Sequence, residues 1–246
     1  IGELAQKFNE MLDQMEELKQ KEYQAKQLLN RAEYKALQAQ VNPHFLYNTL
    51  DTMASIAEIR NCPEVSHMSQ SLALIFRYSL NMKNPFSTVE HEIAHLKNYT
   101  YVMDMRMHDN IQYTFDVDET TLKSKLPRLS LQPIVENAIN HGLRNKRGKK
   151  KIGIQIKRKQ MDLVICIEDN GIGMDTSAIN ESLSKNELDF VEKGNSIGLH
   201  NINARLKMLY GNTYGMYLES TLGEGTKVFM ILPDSGEDSS NEEKDI

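Results

Sequence analysis

The sequence predicts an α + α/β protein: an N-terminal coiled coil and a helical hairpin that pairs with a second copy as a dimeric four-helix bundle, followed by an α/β sandwich. Three observations carry this prediction. Apolar residues recur at a 3.5-residue spacing from Leu4 to Ala39. Two amphipathic helical segments follow, joined by the short turn Asn61-Cys62-Pro63. From Asn110 the texture changes to alternating strands interleaved with helices.

In the first segment Leu4, Phe8, Met11, Met15, Leu18, Ala25, Leu29, Ala32, Ala36 and Ala39 step alternately by four and three, and Glu22 interrupts them. Such a repeat indicates a coiled coil and hence a homodimer, a rod of roughly 50 Å at about 1.5 Å per residue. The chain opens at Ile1, without an initiator methionine and already in helical phase, which reads as a piece of a longer protein. The repeat runs into Pro43, where the lost hydrogen bond kinks the helix. Beyond it Leu46, Leu50, Met53 and Ala57 form one stripe, and His44, Asn48 and Asp51 another. Pro63 suits the first position of the next helix, whose inward face reads as Val65, Met68, Leu72, Ile75, Ser79 and Leu80. Asn84-Pro85-Phe86 breaks that pattern, and Ser87 with Glu90 reads as a capping box for a third helix ending near Met107.

After Asn110, Ile111, Tyr113, Phe115 and Val117 alternate as in a half-buried strand. Ile152, Ile154 and Ile156 do the same, as do Leu163, Ile165 and Ile167. Val228 to Leu232 is a short apolar strand before Pro233. With helices at 129–141 and 199–210, these strands predict a sheet covered on one face. The stretch from Asp234 to Ile246 is acidic and lacks aromatics, a composition that does not bury a core and reads as disordered.

A length of 246 residues with 40% apolar content supports more than one folding unit. The longest apolar runs, such as Leu72 to Phe76, are too short to span a bilayer or to serve as a signal peptide. The net charge of −5 argues against direct nucleic-acid binding. A local exception is Arg144, Lys146, Arg147, Lys149, Lys150 and Lys151, readable as a solvated loop, a phosphate contact or a contact for an acidic partner. Cys62 and Cys166 stand far apart and form no CxxC pair, so neither a disulfide framework nor a zinc site follows.

His44 stands one residue after a proline at the start of an amphipathic helix, with Asn48 a turn above it, where a phosphoryl acceptor would sit. Imidazole suits that role because it keeps a neutral nitrogen lone pair at cellular pH. The helix from Leu131 to Gly142 carries Asn137 and His141 one turn apart on the flank of an apolar stripe. An Asn oxygen ligates Mg²⁺, an ion that otherwise takes waters and phosphate oxygens, and His141 reaches the same phosphates; alone, such a pair is more often structural. Asp169 emerges at the end of a strand, and Gly171 and Gly173 let the backbone turn against a flat ligand without a Cβ in the way. A carboxylate there accepts the exocyclic amine of adenine. Ser196-Ile-Gly-Leu-His-Asn201 then opens a helix whose free N–H groups favour phosphate. The three motifs in this order make a nucleotide pocket.

Together these segments resemble the LytS-type sensor histidine kinases, with their NPHF phosphoacceptor motif and an ATPase domain of the gyrase, histidine kinase and MutL superfamily. The resemblance covers most of residues 35–233. It implies that His44 is autophosphorylated from ATP, that Asn137 holds Mg²⁺, and that Asp169, Gly171, Gly173 and Gly198 frame ATP together with His141 and Asn201. Gly223-Glu-Gly-Thr226 looks like the family's closing strand element, which sets Thr226 near the adenine. Asn48 stands where related kinases position water for the reverse phosphatase reaction. The partner implied is a response regulator that takes the phosphoryl group on an aspartate. Residues Ile1 to Leu12 resemble the end of a HAMP signal-relay helix, implying a membrane span upstream and a cytoplasmic place for this chain.

The implied organisation is 1–40 as a HAMP-derived signalling helix and coiled coil, 41–107 as dimerisation and histidine phosphotransfer helices with a connector, 108–233 as the catalytic ATP-binding domain and 234–246 as a disordered tail. The catalytic domain would swing on the linker near 84–88, and the coiled coil would signal through the bend at Pro43. Three positions depart from the commoner pattern. Phe45 replaces the acidic residue after the acceptor, leaving the proton acceptor unassigned, with Glu136 the nearest acidic residue to the pocket motif. Pro133 replaces a polar residue, and Ser196 replaces a glycine. Two other readings stay open: an ATP-driven conformational switch in which His44 is structural, and a dimeric scaffold without kinase activity.

Overall fold

A computed structural model describes residues 43–80, 84–107, 110–185 and 197–234. The coiled-coil repeat over 4–39, Ser196 and the tail beyond Asp234 lie outside the described residues. The chain divides into two units, Ile1–Thr49 and Leu50–Ile246. The described part of the first is the opening of helix α1 (Pro43–Ile59), where proline takes the position that needs no N–H partner. Within it the Thr49 hydroxyl donates to the Phe45 carbonyl at 2.7 Å.

In the second unit, helix α2 (Pro63–Leu80) also starts on its proline. Its buried residues are Ser66, Ser69, Ser71 and Ala73, whereas Val65 is 49% exposed. Of the inward face read from the bulky residues, Met68, Leu72, Ile75, Ser79 and Leu80 are half-buried, and Ile75 packs against the core. α2 packs along helix α3 (Val89–Met107), where the His67 and Tyr101 rings lie 4.1 Å apart. Small side chains fit where two helices run close, and bulky ones are left outside. Later in α1 Ala54 and Ala57 are buried and Met53 is exposed.

The capping box expected at Ser87 and Glu90 does not form. Phe86–Thr88 is instead a strand, β1, antiparallel to β3 (Lys125–Pro127) with Ser87 opposite Leu126. Thr88 takes the capping role, its Oγ1 accepting the His91 N–H at 3.3 Å.

The main sheet has five strands in the order β2-β4-β5-β7-β6: β2 (Gln112–Val117), β4 (Lys151–Lys159), β5 (Asp162–Asp169), β6 (Gly215–Thr221) and β7 (Gly225–Pro233). β2 and β4 are parallel and the other pairs antiparallel. Alternation along the strands sends Ile152, Ile154, Ile156, Leu163, Ile165 and Ile167 to one face. They share one buried cluster with residues of α3, of the helical segment from Gln132 to Leu143, and of α6 (Ile197–Tyr210); α5 (Ser177–Lys185) adds Leu183. The opposite face carries Tyr217 stacked on Phe229, centroids 4.7 Å apart. The one-sided cover read from the sequence is the architecture found.

Val89, Ile93, Leu96, Tyr99 and Met103 of α3 belong to this same cluster, so the core runs across the 107/108 division drawn from the sequence. Among the described residues no helix is long and apolar enough to cross a membrane. Ile165 is fully buried at the centre of the sheet. Replacing it with alanine is expected to cost about 2–5 kcal/mol in chemical denaturation.

Candidate functional site

The helix that crosses the buried face of the sheet changes pitch halfway. Gln132–Asn137 is α-helix (α4), and Ala138–Leu143 continues it as π-helix, a wider turn that recurs at functional sites. Ile139 and Leu143 anchor the wide part to the core, each 1% exposed. The other side of the helix forms a wall of a cavity of about 530 Å³, to which it contributes Asn137, Ala138, Asn140, His141, Gly142, Arg144 and Asn145. Ile167, Met174, Ile179, Leu199, Leu218 and Val228 supply an apolar wall, and Asp169 and Thr226 supply polar groups at the strand ends.

Asp169 is the last residue of β5, opposite Thr226 on β7. Its Oδ1 accepts the Gly171 N–H at 2.7 Å. Burial pushes its carboxyl above the usual carboxylate range, against the pull of the Gly171 and Thr226 N–H groups and of Lys146. A half-desolvated acceptor at the edge of an apolar cavity is strongly attracted to any N–H donor that enters.

The glycines around Asp169 also meet a demand from within the protein. A Cβ on Gly171 would come within 2.3 Å of the Gly142 carbonyl oxygen, and one on Gly173, where φ is +66°, within 2.0 Å of the Thr221 oxygen. Gly225 (φ +130°) would place a Cβ 1.9 Å from the Asp169 oxygen. They are needed because the protein's own backbone segments touch one another there. The same contacts carry hydrogen bonds, Ile172 N–H to Gly142 O at 3.0 Å and Gly223 N–H to Ile172 O at 2.7 Å.

Of the residues read from the sequence, Asn137, His141, Asp169, Gly173 and Thr226 line the one cavity. Gly171 shapes it from behind. Gly198 and Asn201 are not among the lining residues; Gly198 has room for a Cβ, 3.5 Å from Pro133 Cβ, and Asn201 is exposed. Gly142 was overlooked, although it closes the motif that pointed to Asn137. A Cβ there would lie 2.7 Å from Asp169 Oδ1, so only glycine lets the helix pass over the carboxylate.

The basic run divides three ways. Arg144 lines the cavity, Lys150 is buried, and Asn170 staples the run's end by accepting the Lys151 N–H at 2.9 Å and donating to the Lys149 carbonyl at 3.0 Å. Asn137 Nδ2 is buried without a hydrogen-bond partner in this structure, so an N–H donor stands unspent at the cavity wall. Among the described residues no three His, Cys, Asp or Glu side chains converge as a metal cage. Turned over by half, the Asn137 amide offers its oxygen instead, the one protein ligand that an ion such as Mg²⁺ needs when phosphate and water supply the rest.

In the first unit His44 is exposed, and its Nδ1 lies 3.3 Å from Asn48 Nδ2. With the amide nitrogen donating, the ring proton stands on Nε2. Half a turn of the amide reverses this, its oxygen accepting Nδ1–H and freeing the Nε2 lone pair.

A carboxylate in a glycine-lined seam thus faces an Asn–His helix across a mostly apolar cavity. Residues 125–236 match the family described as histidine kinase-, DNA gyrase B- and HSP90-like ATPase, and residues 32–111 match histidine kinase. Sensor histidine kinase YesM of Bacillus subtilis is 33% identical over 94% of this chain and 38% of its own length. Sensor histidine kinase YpdA of Escherichia coli is 32% identical over 85% of this chain and 36% of its own, and sensor protein LytS of Oceanobacillus iheyensis 33% over 85% and 35%. A nucleotide-free catalytic domain of the histidine kinase ThkA superposes loosely, with a TM-score of 0.45 at 16% identity, covering 61% of this chain and 97% of that one. The chain belongs to the sensor histidine kinases of the LytS type. It spans little more than a third of the length of the curated relatives it matches.

Gly142→Ala should displace the Asp169 carboxylate and weaken nucleotide binding by at least about tenfold, the worth of one charge-assisted hydrogen bond. Titration calorimetry checks this, with an unchanged far-ultraviolet spectrum as the control.

Proposed function

We propose that this chain transfers the γ-phosphoryl group of ATP to His44 and then to an aspartate of a response regulator. The observation that carries the reading is the convergence of Asn137, His141, Asp169 and Thr226 on one cavity, in a chain that also presents an exposed histidine with an asparagine a turn beyond it. Asp169 would accept the adenine amine, with the apolar wall around Ile167, Leu218 and Val228 flanking the ring. Asn137 would hold Mg²⁺, which when bound neutralises phosphate charge, and His141 and Arg144 would face the phosphates. Phosphoryl transfer asks for alignment and charge neutralisation more than for covalent help.

In the transfer a bond forms from a His44 ring nitrogen to the γ-phosphorus, and the bond from that phosphorus to the β–γ bridging oxygen breaks. ADP leaves with the electron pair. The nitrogen that attacks must carry its lone pair, so the turn of the Asn48 amide decides whether Nε2 is ready. In the same reading Asn48 positions water for the reverse hydrolysis.

Two copies of the chain are proposed to pair through α1 and α2. Met53, Ile56, Ile59, Val65 and Leu74, all at least 46% exposed in the single chain, support this. The division into phosphotransfer helices within 41–107 and a catalytic part within 108–233 belongs to this reading, as do the cytoplasmic setting and a membrane-anchored sensing portion in the rest of the longer protein.

Incubation with γ-labelled ATP tests the proposal. The wild type should acquire an acid-labile label. His44→Gln should acquire none while binding nucleotide normally, and Asn137→Ala should lose both label and affinity. A His44→Gln protein that labels like the wild type would reject the acceptor assignment; nucleotide binding with no label on any protein would favour a conformational switch.

A pH series supplies a second test. The ionised form of Asp169 is the one that accepts an N–H donor, and burial raises its pKa. Affinity should be full above that raised pKa and fall as the pH drops through it, at a higher pH than an ordinary surface carboxylate would require. Asp169→Asn should bind weakly with no such fall.

A further inference from the structure

Glu92 is an acidic side chain buried to 1% exposure in α3, far from any cavity residue in sequence. Its two oxygens are fully engaged. Oε1 accepts the Leu129 N–H at 2.7 Å and the hydroxyl of Tyr78; Oε2 accepts the Ser130 N–H at 3.0 Å and the Leu131 N–H at 3.3 Å. Three of these four donors are consecutive backbone groups on the approach to α4. The first, Leu129, has φ +57°, a left-handed conformation that a leucine adopts only when its surroundings hold it there.

The fourth donor comes from the last turns of α2. Tyr78 is clamped between the Arg128 guanidinium, 3.8 Å from its ring centroid, and the His95 ring, stacked at 4.4 Å. Arg128 also donates from Nε and Nη2 to the Tyr78 carbonyl, near the end of α2, at 3.1 and 2.7 Å. His95 lies 2.7 Å through Nε2 from Gln132 Oε1, at the first residue of α4. Ser87 of β1 hydrogen-bonds the same Tyr78 hydroxyl at 2.7 Å. The end of α2, strand β1 and the start of α4 are thus tied to one carboxylate.

We infer that Glu92 and Tyr78 are positioning residues for the nucleotide site: the Tyr78 hydroxyl orients Glu92, Glu92 holds residues 129–131, and these set where α4 presents Asn137 and His141. The inference rests on the nucleotide reading of the cavity. It makes the end of α2, which in the proposed function belongs to the phosphotransfer helices, a lever on nucleotide affinity. It also opposes a free pivot across 84–88, since residues 86–88 are paired with β3 and Ser87 is part of the clamp.

The test uses the full chain with Tyr78→Phe, which removes one hydroxyl and leaves the ring stack, and Glu92→Gln. Two readouts are taken: amide hydrogen exchange, and binding of ADP by calorimetry. In Tyr78→Phe, exchange across 129–143 should quicken by about tenfold, the size of one lost hydrogen bond to a charged group, and ADP should bind several-fold more weakly. Exchange in β4 and β5 should stay at the wild-type rate. Glu92→Gln, if it folds, should act in the same direction and more strongly, because an amide nitrogen then faces N–H donors.

Wild-type exchange and affinity in Tyr78→Phe would overturn the inference. So would quickening spread evenly over 129–143 and 151–169, the sign of general destabilisation. Failure of the wild type to bind ADP would sink the nucleotide reading instead; the exchange result in the unliganded protein still decides whether Tyr78 supports the start of α4.

Discussion

The end of strand β5 is where the fold and the site depend on each other. Asp169 lies in a seam where backbone segments meet: Gly171 is pressed against the Gly142 turn of the π-helix, Gly173 against Thr221 at the end of β6, and Gly225 at the start of β7 against Asp169 itself, none with space for a methyl group. The carboxylate's conformation follows from that closeness. Its Oδ1 is pinned by the Gly171 N–H, and its own backbone oxygen is crossed by Gly225. A desolvated acceptor with fixed direction selects among ligands because any that lack the matching donor leave it unpaired. The sheet below exists, in functional terms, to hold this seam still.

Around the seam the chemistry divides by element. The strand ends supply a rigid polar pair in Asp169 and Thr226, and the apolar wall comes from side chains whose neighbours form the core. The helix from Gln132 supplies the polar groups of Asn137, Asn140 and His141 along another wall. Arg144 begins where that helix finishes, so a positive charge follows directly on the Asn–His pair. In the proposed reading the amide of Asn137, the imidazole of His141 and the guanidinium of Arg144 all serve the phosphate end of the nucleotide.

Much of this was legible in the sequence because it is periodic or punctuated. Alternation in Ile152–Ile156 and Leu163–Ile167 marked the buried face, and the glycines around Asp169 marked a crowded place, though not what crowds it. Three features left no local signature. The pitch change after Asn137 arises from packing in three dimensions, and the sequence from Ala138 to Leu143 reads as an ordinary helix. Strand β1 is three residues long and is defined by its partner β3 rather than by its own pattern. The burial of Ser66, Ser69 and Ala73 depends on how near α3 lies, so hydrophobicity alone did not point to that face of α2. Glu92 escaped for the same reason: on an amphipathic helix a glutamate reads as solvent-facing until the donors that surround it are seen.

Within the widened part of the helix, Ile139 and Leu143 are the side chains sunk fully into the core, while seven positions from Asn137 to Asn145 open to the cavity. Mechanically this is a beam held at both ends: at its root near Leu131, Ile134 and Val135, and at its far end by Leu143 and by the Gly142 carbonyl, which accepts the Ile172 N–H. A beam so fixed resists a tilt at either support, so the side chains it carries toward the cavity keep their spacing from one another.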